Sequence, residues 1–258
     1  MSMPLVYITG ASSGIGQALA LRFHRAGYRL ALVARRVAEV RAWAEAQGLS
    51  ADRWAVYEAD VRDIAAITGA GRACIAAQGL PDVVIAAAGF SVGIDTAIYE
   101  DLEVMRALYE TNNLGMTATF QPFVAAMVGR RTGTFVGIAS VSGIRGLPGH
   151  GGYCSSKAAA ISYCESLRVE LRSSGVKVVT ISPGYVDTPL TRDNPYRMPF
   201  LMPVDEFADQ AFKTIERGTS YRVIPWQMAV LAKVMRALPN AVFDRLVSGR
   251  GRKPRAPQ

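Results

Sequence analysis

"ITGASSGIG", Ile8–Gly16, decides how the chain reads. It follows a short apolar run, "PLVYIT" (Pro4–Thr9), and opens "GIGQALALRFHRAG" (Gly14–Gly27), which has helical spacing and ends at a glycine. Strand, glycine turn and helix in this order put Gly10, Gly14 and Gly16 where the backbone must turn tightly and approach a ligand. The free N–H groups and positive dipole end of the helix N-terminus suit a pyrophosphate. No Lys-Ser/Thr pair follows the last glycine, so a P-loop is a poor match. The same letters satisfy G-x-S-x-G, the nucleophile elbow of α/β-hydrolases, with Ser12 as nucleophile. That alternative is remote. An elbow sits on a central strand laid down after others, and it needs a later acid and then a histidine, for which His150 is the one candidate. A turn that merely shapes the backbone is the plain alternative for this loop taken alone.

Outward from the loop, "YRLALVA" reads as a second strand and "VAEVRAWAEAQG" as a helix stopped by Gly48. "RWAVYEAD" and "DVVIAAAG" are further strands, with a helix over about 63–78 between them. "TGTFVGIAS" and "VKVVTISPG" follow, separated by a long helix through Tyr153–Ser173. "YRVI" is the last strand. This alternation predicts an α/β fold: a Rossmann-like, doubly wound parallel sheet with helices on both faces, in a single domain over 1–258. Ligands of such sheets bind beyond the carboxyl ends of the strands, where the motifs fall.

Half of the 258 residues are hydrophobic, enough for one large core. The net charge of +8 favours anionic partners such as a phosphorylated cofactor or lipid headgroups. No DNA or RNA module is present, so nucleic acid is not an expected partner. Cys74, Cys154 and Cys164 form no CxxC pair and read as reduced thiols of a cytoplasmic protein. With only His24 and His150 as histidines, no His-rich metal site is expected. No secretory signal and no membrane-spanning run are seen.

"GGYCSSKAA" (Gly151–Ala159) places Tyr153 one helical turn before Lys157, on one face. A phenol near pKa ~10 needs roughly 4 kcal/mol of preferential phenolate stabilisation to reach ~7. A unit charge at about 4 Å supplies that order at an effective dielectric of ~20. The pair is thus expected to act as an acid/base near neutral pH.

Gly10-x-x-x-Gly14-x-Gly16 followed by Tyr153-x-x-x-Lys157 resembles the short-chain dehydrogenase/reductase family, over roughly 4–189. "DVVIAAAG" stands where that family has Asn-Asn-Ala-Gly, so Ala88 and Gly89 match while Ala86 and Ala87 depart. "TNNLG" puts Asn112 at its proton-relay asparagine. "GIASVSG" puts Ser140 thirteen residues before Tyr153, the interval of its catalytic serine, with Ser142 a weaker candidate. "SPGYVDTP" resembles its Pro-Gly segment beside the nicotinamide, with Pro183, Gly184, Val186 and Thr188.

The resemblance implies NADPH-dependent, reversible reduction of a carbonyl. Tyr153 would give the proton and Ser140 would hold the carbonyl oxygen. Lys157 would hold the nicotinamide ribose and Asn112 a relay water. Ser12, Ser13 and Ile15 join the glycine loop around the cofactor, and Asp60 and Val61 would contact its adenine. Ala34 stands where NAD-specific folds carry an acidic residue, and Arg35 and Arg36 follow it. Arginine matches phosphate geometry, so NADP(H) is expected, with Arg35 the main 2′-phosphate ligand and Arg36 or Ser12 helping. The alternative from another class is an NADPH-binding redox sensor without turnover.

A substrate lid is expected at about 187–220, and its "YRMPFLMP" (196–203) suits a bulky apolar or lipid-like substrate. A C-terminal extension over about 226–249 carries an apolar face of Trp226, Val230, Val234 and Leu238, widened by Met228, Leu231 and Met235. The tail 250–258 adds Arg250, Arg252, Lys253 and Arg255 with no acidic residue. The plainer reading is that the helices pack on the body or across a dimer and that the tail is solvated; the alternative is a tail docked near the active-site mouth, in peripheral contact with anionic membranes. The resemblance also implies a homodimer or homotetramer.

Overall fold

The structure is a computed structural model that describes residues 3–192, 194, 197–249 and 251–255. Strand β1 (Leu5–Thr9) is fully buried and alternates its side chains between two faces. Val6 and Ile8 enter one core, Leu5 and Tyr7 the other. Seven strands form one sheet in the order β3-β2-β1-β4-β5-β6-β7, every neighbouring pair parallel. The others are β2 (Arg29–Ala34), β3 (Trp54–Glu58), β4 (Val83–Ala86), β5 (Thr134–Ile138), β6 (Lys177–Pro183) and β7 (Tyr221–Ile224). The order reverses between β1 and β4, which opens a crevice above their carboxyl ends.

One face is covered by α1 (Gly14–Arg25), α2 (Val37–Ala46) and α8 (Val204–Arg217), through Leu19, Phe23, Val40, Phe207 and Ile215. The other carries α3 (Ile64–Gln78), α5 (Gly115–Arg130) and α6 (Gly151–Glu170), through Ile67, Phe120, Phe123, Cys164 and Leu167. Helix α6 starts two residues before Tyr153 and stops at Glu170, three short of the expected Ser173. It lies close on the sheet because β5 has Gly137 where a Cβ would collide with Cys164 Sγ. Helix α4 (Asp101–Tyr109) runs into α5 through a π-helical turn, Glu110–Leu114, that contains Asn112.

Three expectations change. Residues 204–217 of the expected lid are a core helix: Phe207, Ala208, Ala211 and Ile215 recur at helical spacing and are buried. The short helix α7 (Pro189–Arg192) remains above the crevice. In α9 (Trp226–Ala237) the buried residues are Met228 and Ala232, while Trp226, Val230 and Val234 face outward. The helix therefore docks by the side of Met228 and Ala232 and not by the face of Trp226, Val230 and Val234. Helix α10 (Asn240–Val247) is buried through Phe243 and Val247, and the Arg145 guanidinium lies 3.8 Å from the Phe243 ring centroid. The tail is not a solvated basic strand. Arg252 pairs with Asp95 at 2.9 Å and Arg255 with Asp101 at 2.7 Å. Those two cations are engaged on the protein body. Arg250 and 256–258 lie outside the described residues.

Candidate active site

The loop after β1 is built by exclusion of side chains. Gly10 has φ +71°, and a Cβ there would stand 2.8 Å from the backbone of Ala88. A Cβ on Gly16 would collide with the Gly10 carbonyl. Thr188 packs over Gly14 from the far side, 3.4 Å from where its Cβ would be. Ser13 precedes α1 in an extended conformation and makes no side-chain cap, and the first turn of α1 has no acidic residue. Its N–H groups thus point into the crevice with the helix dipole behind them, a cradle that fits a pyrophosphate.

One groove runs from this loop to α6. It is lined by every cofactor-contact candidate: Gly10, Ser12, Ser13, Gly14, Ile15, Gly16, Arg35, Arg36, Asp60, Val61, Ala88, Gly89, Tyr153, Lys157, Pro183, Gly184, Val186 and Thr188. At its outer end Arg36 Nη2 donates to Ser12 Oγ at 3.2 Å, and Arg35 lies 3.5 Å from Asp60. Asp60 receives a fork from Arg62, with Nη2 at 2.7 Å, and that bond holds its carboxyl down at about 2. The Asp60 charge is thereby engaged and weakly opposes an anion beside Arg35 and Arg36. Arg62, Phe90 and Thr111 also line the groove, and no motif had pointed to them. Ser12 shares the groove with no histidine among the described lining residues, whereas an elbow serine needs one beside it.

At the inner end Ser140 and Tyr153 line both the groove and a second pocket, between Leu147, Tyr185, Leu190 and Asn194. Ser142 lines this second pocket too, and its N–H donates to Ser140 Oγ at 3.1 Å. Burial pushes the Tyr153 phenol up to about 12, and its hydrogen bond with the Ser140 side chain pulls the other way. This departs from the expected acid/base near neutrality. The Lys157 ammonium lies 5.9 Å from the phenol ring centroid and donates to the Ile138 carbonyl at 2.9 Å, so it is turned to the main chain of β5. Lys157 is itself buried, which pulls its ammonium down to about 8.

Asn112 lines neither pocket. Its side chain takes the Phe90 N–H at 3.2 Å and donates to the Phe90 carbonyl and to Ser156 Oγ. It ties the π-helical turn to the loop after β4 and to α6. The described part of the apolar stretch, 197–203, lines neither pocket: Met202 is buried beside Val186, and Phe200 and Leu201 face outward. Tyr196 lies outside the described residues. The three cysteines are buried, and burial raises each thiol above its ordinary range.

Lys157 carries a stability consequence. The unfolded chain keeps its proton up to about pH 10, while the folded chain gives it up near 8. Between those values the unfolded state binds more protons, so stability rises with pH. Below 8 the buried charge is a burden on the fold. Lys157→Met is therefore expected to raise the melting temperature at pH 7 by about 2–4 °C, the lost bond to Ile138 offsetting part of the gain. The gap to the wild type should close by about pH 10 in paired thermal melts. A variant that melts lower at both pH values contradicts the sign.

The family model for short chain dehydrogenases matches residues 4–198. An uncharacterized oxidoreductase of Myxococcus xanthus is 39% identical over 247 residues, covering 95% of this chain and 96% of that one. Dehydrogenase/reductase SDR family member 7B of Bos taurus is 31% identical, covering 97% of this chain and 82% of its own length. Among solved structures, a short-chain dehydrogenase from Sphingobium yanoikuyae in complex with NADPH superposes with a TM-score of 0.75 at 26% identity, covering 93% and 98% of the two chains. An alcohol dehydrogenase from the archaeon Thermococcus sibiricus, complexed with 5-hydroxy-NADP, gives 0.75 at 26% identity, covering 86% and 96%.

Proposed function

From membership of the short-chain dehydrogenase/reductase family, to which this chain belongs as an NAD(P)-dependent oxidoreductase, we propose that it reduces a carbonyl to an alcohol with NADPH, reversibly. The observation that carries this is the meeting of Ser140, Tyr153 and Lys157 at the inner end of a groove whose outer end holds Arg35 and Arg36. The bound nicotinamide supplies the hydride. The chain's own residues do the rest. Ser140 donates a hydrogen bond to the carbonyl oxygen and stabilises the charge that grows there. Tyr153 gives that oxygen its proton. A phenol pushed up by burial stays protonated at working pH, which suits the donor in reduction. The Lys157 ammonium, drawn from Ile138 to the ribose hydroxyls, holds the nicotinamide end in register. Asn112 fixes the π-helical turn whose main chain would hold a relay water.

NADPH is preferred because an anion is missing at Ala34 and two guanidiniums face the groove. Each charge-assisted hydrogen bond to the 2′-phosphate contributes about 1.5–3 kcal/mol, or roughly 10–100-fold. Arg35→Ala and Arg36→Ala are therefore expected to raise KM for NADPH by about that factor while KM for NADH stays within about threefold. A wild-type kcat/KM favouring NADH by about tenfold overturns the cofactor assignment. Homodimer or homotetramer assembly is proposed on the same family ground, to be checked by light scattering. No helix among the described residues is long and apolar enough to cross a membrane.

A further inference from the structure

The last described residues lie across the pocket that holds the Tyr153 side chain. Gly251 and Lys253 line it together with Ser140, Tyr153, Tyr185 and Asn194. Their path is built into the body at four places. The Gly93 N–H donates to the Pro254 carbonyl at 2.8 Å, and Gly93 bridges Arg255 in a parallel pair. A Cβ on Gly93 would collide with the Lys253 carbonyl, and one on Gly149 would stand 2.9 Å from Arg252 Cβ. Lys253 Nζ donates to Asn194 Oδ1 at 2.5 Å, which joins the segment to the stretch after α7. Arg255 then closes the path with a fork on Asp101, Nε at 2.7 Å and Nη2 at 2.8 Å.

Asp101 is set up to receive that fork. It is buried at the start of α4 and also accepts the Asp95 N–H at 2.6 Å. Asp95 in turn pairs with Arg252. A two-bond guanidinium–carboxylate contact fixes direction as well as distance, so the segment cannot swing while it holds. Polar groups from the loop after β4, the stretch after α7 and the start of α4 thus converge on these five residues. A fraying terminus has no use for two glycine gaps and a buried carboxylate. A pocket wall does.

We infer that residues 251–255 are a specificity-determining wall of the active site, latched by Arg255 and Asp101, which restricts the pocket over Tyr153 to compact carbonyl substrates. Arg255 and Asp101 are positioning residues: they touch the wall and not the reacting atoms. The inference rests on the reading of Tyr153 as the proton donor, since the wall is placed relative to that side chain. Releasing it opens the pocket on the Lys253 side, so a bulky ketone gains access and a small one loses a contact surface.

The test uses the full chain, the two-ring ketone benzil and the small ketone ethyl acetoacetate. Arg255→Ala and Asp101→Asn should shift the kcat/KM ratio of benzil to ethyl acetoacetate upward by about tenfold or more, with NADPH affinity within about twofold. Arg255→Lys, which keeps the charge and loses the fork, should fall between them and the wild type. Trypsin cleavage after Arg252 should quicken in the two breaking variants and report release of the wall without turnover. A released tail with an unchanged ratio overturns the inference. So does a tail that stays protected in both variants, or an equal fall in kcat for both ketones together with NADPH affinity, which would mean general loosening. If the wild type binds benzil by equilibrium dialysis but reduces neither ketone, the reductase function fails. The wall is then judged by whether Arg255→Ala tightens benzil binding.

Discussion

Tyr153→Phe is expected to remove carbonyl reduction by about three orders of magnitude or more, within the range set by loss of a positioned general acid. The substitution deletes one hydroxyl from a half-buried ring between Ser140 and the pocket, and disturbs no core contact. NADPH affinity should stay within about threefold, because the glycine loop, Arg35 and Arg36 lie at the other end of the groove. Ser140 remains to hold the carbonyl oxygen, so KM for a ketone should move far less than kcat. That split marks a group needed in the transition state more than in binding. Stopped-assay product analysis with ethyl acetoacetate and NADPH titration by fluorescence measure the two arms. Activity within a few-fold of the wild type would remove Tyr153 as the donor. Intact NADPH binding in a wild-type chain that reduces no ketone would favour the redox sensor instead.

What was legible in the sequence was whatever a residue type enforces by itself. Gly10 and Gly16 stand where a Cβ would meet backbone, so their positions announce the loop and, through it, the sheet. Tyr153 and Lys157 share a helix face by spacing alone, and the groove brings them beside Ser140 from the loop after β5. Protonation was less legible. Lys157 at i+4 from Tyr153 suggests a charge acting on the phenol, but the ammonium turns to the Ile138 carbonyl, and burial then dominates both groups. Nor does spacing say which face of α9 is inner. Trp226, Val230 and Val234 form the more apolar stripe, yet the smaller Ala232 with Met228 makes the contact because β7 and the loop after β6 come close. Arg255 was least legible of all. A run of cations looks solvated until a buried carboxylate 154 residues away is known to wait for it. Arg62 escaped for the same reason, since only the fold shows that its fork neutralises Asp60 beside Arg35.

Gly16→Ala is expected to weaken NADPH binding by about a hundredfold or more and to lower stability by about 1–3 kcal/mol, the usual penalty of forcing a methyl group into packed surroundings. The added Cβ meets the Gly10 carbonyl, which belongs to backbone and cannot rotate away. Relief requires Gly10 to move, and Gly10 is held between a left-handed φ of +71° and the Ala88 backbone. The strain therefore passes to the carboxyl ends of β1 and β4 together, where the cradle is formed. The contrast that isolates this is Gly27→Ala. Gly27 has φ +92° but open space where its Cβ would lie. Its substitution should cost about 1 kcal/mol in backbone strain alone and leave NADPH affinity within about twofold. Both variants thus lose stability, and only the one whose methyl group enters the loop loses the cofactor. Thermal melts and NADPH titration on the pair separate a damaged cradle from a damaged fold. Gly16→Ala binding NADPH as tightly as Gly27→Ala would mean that the phosphates do not sit on this loop.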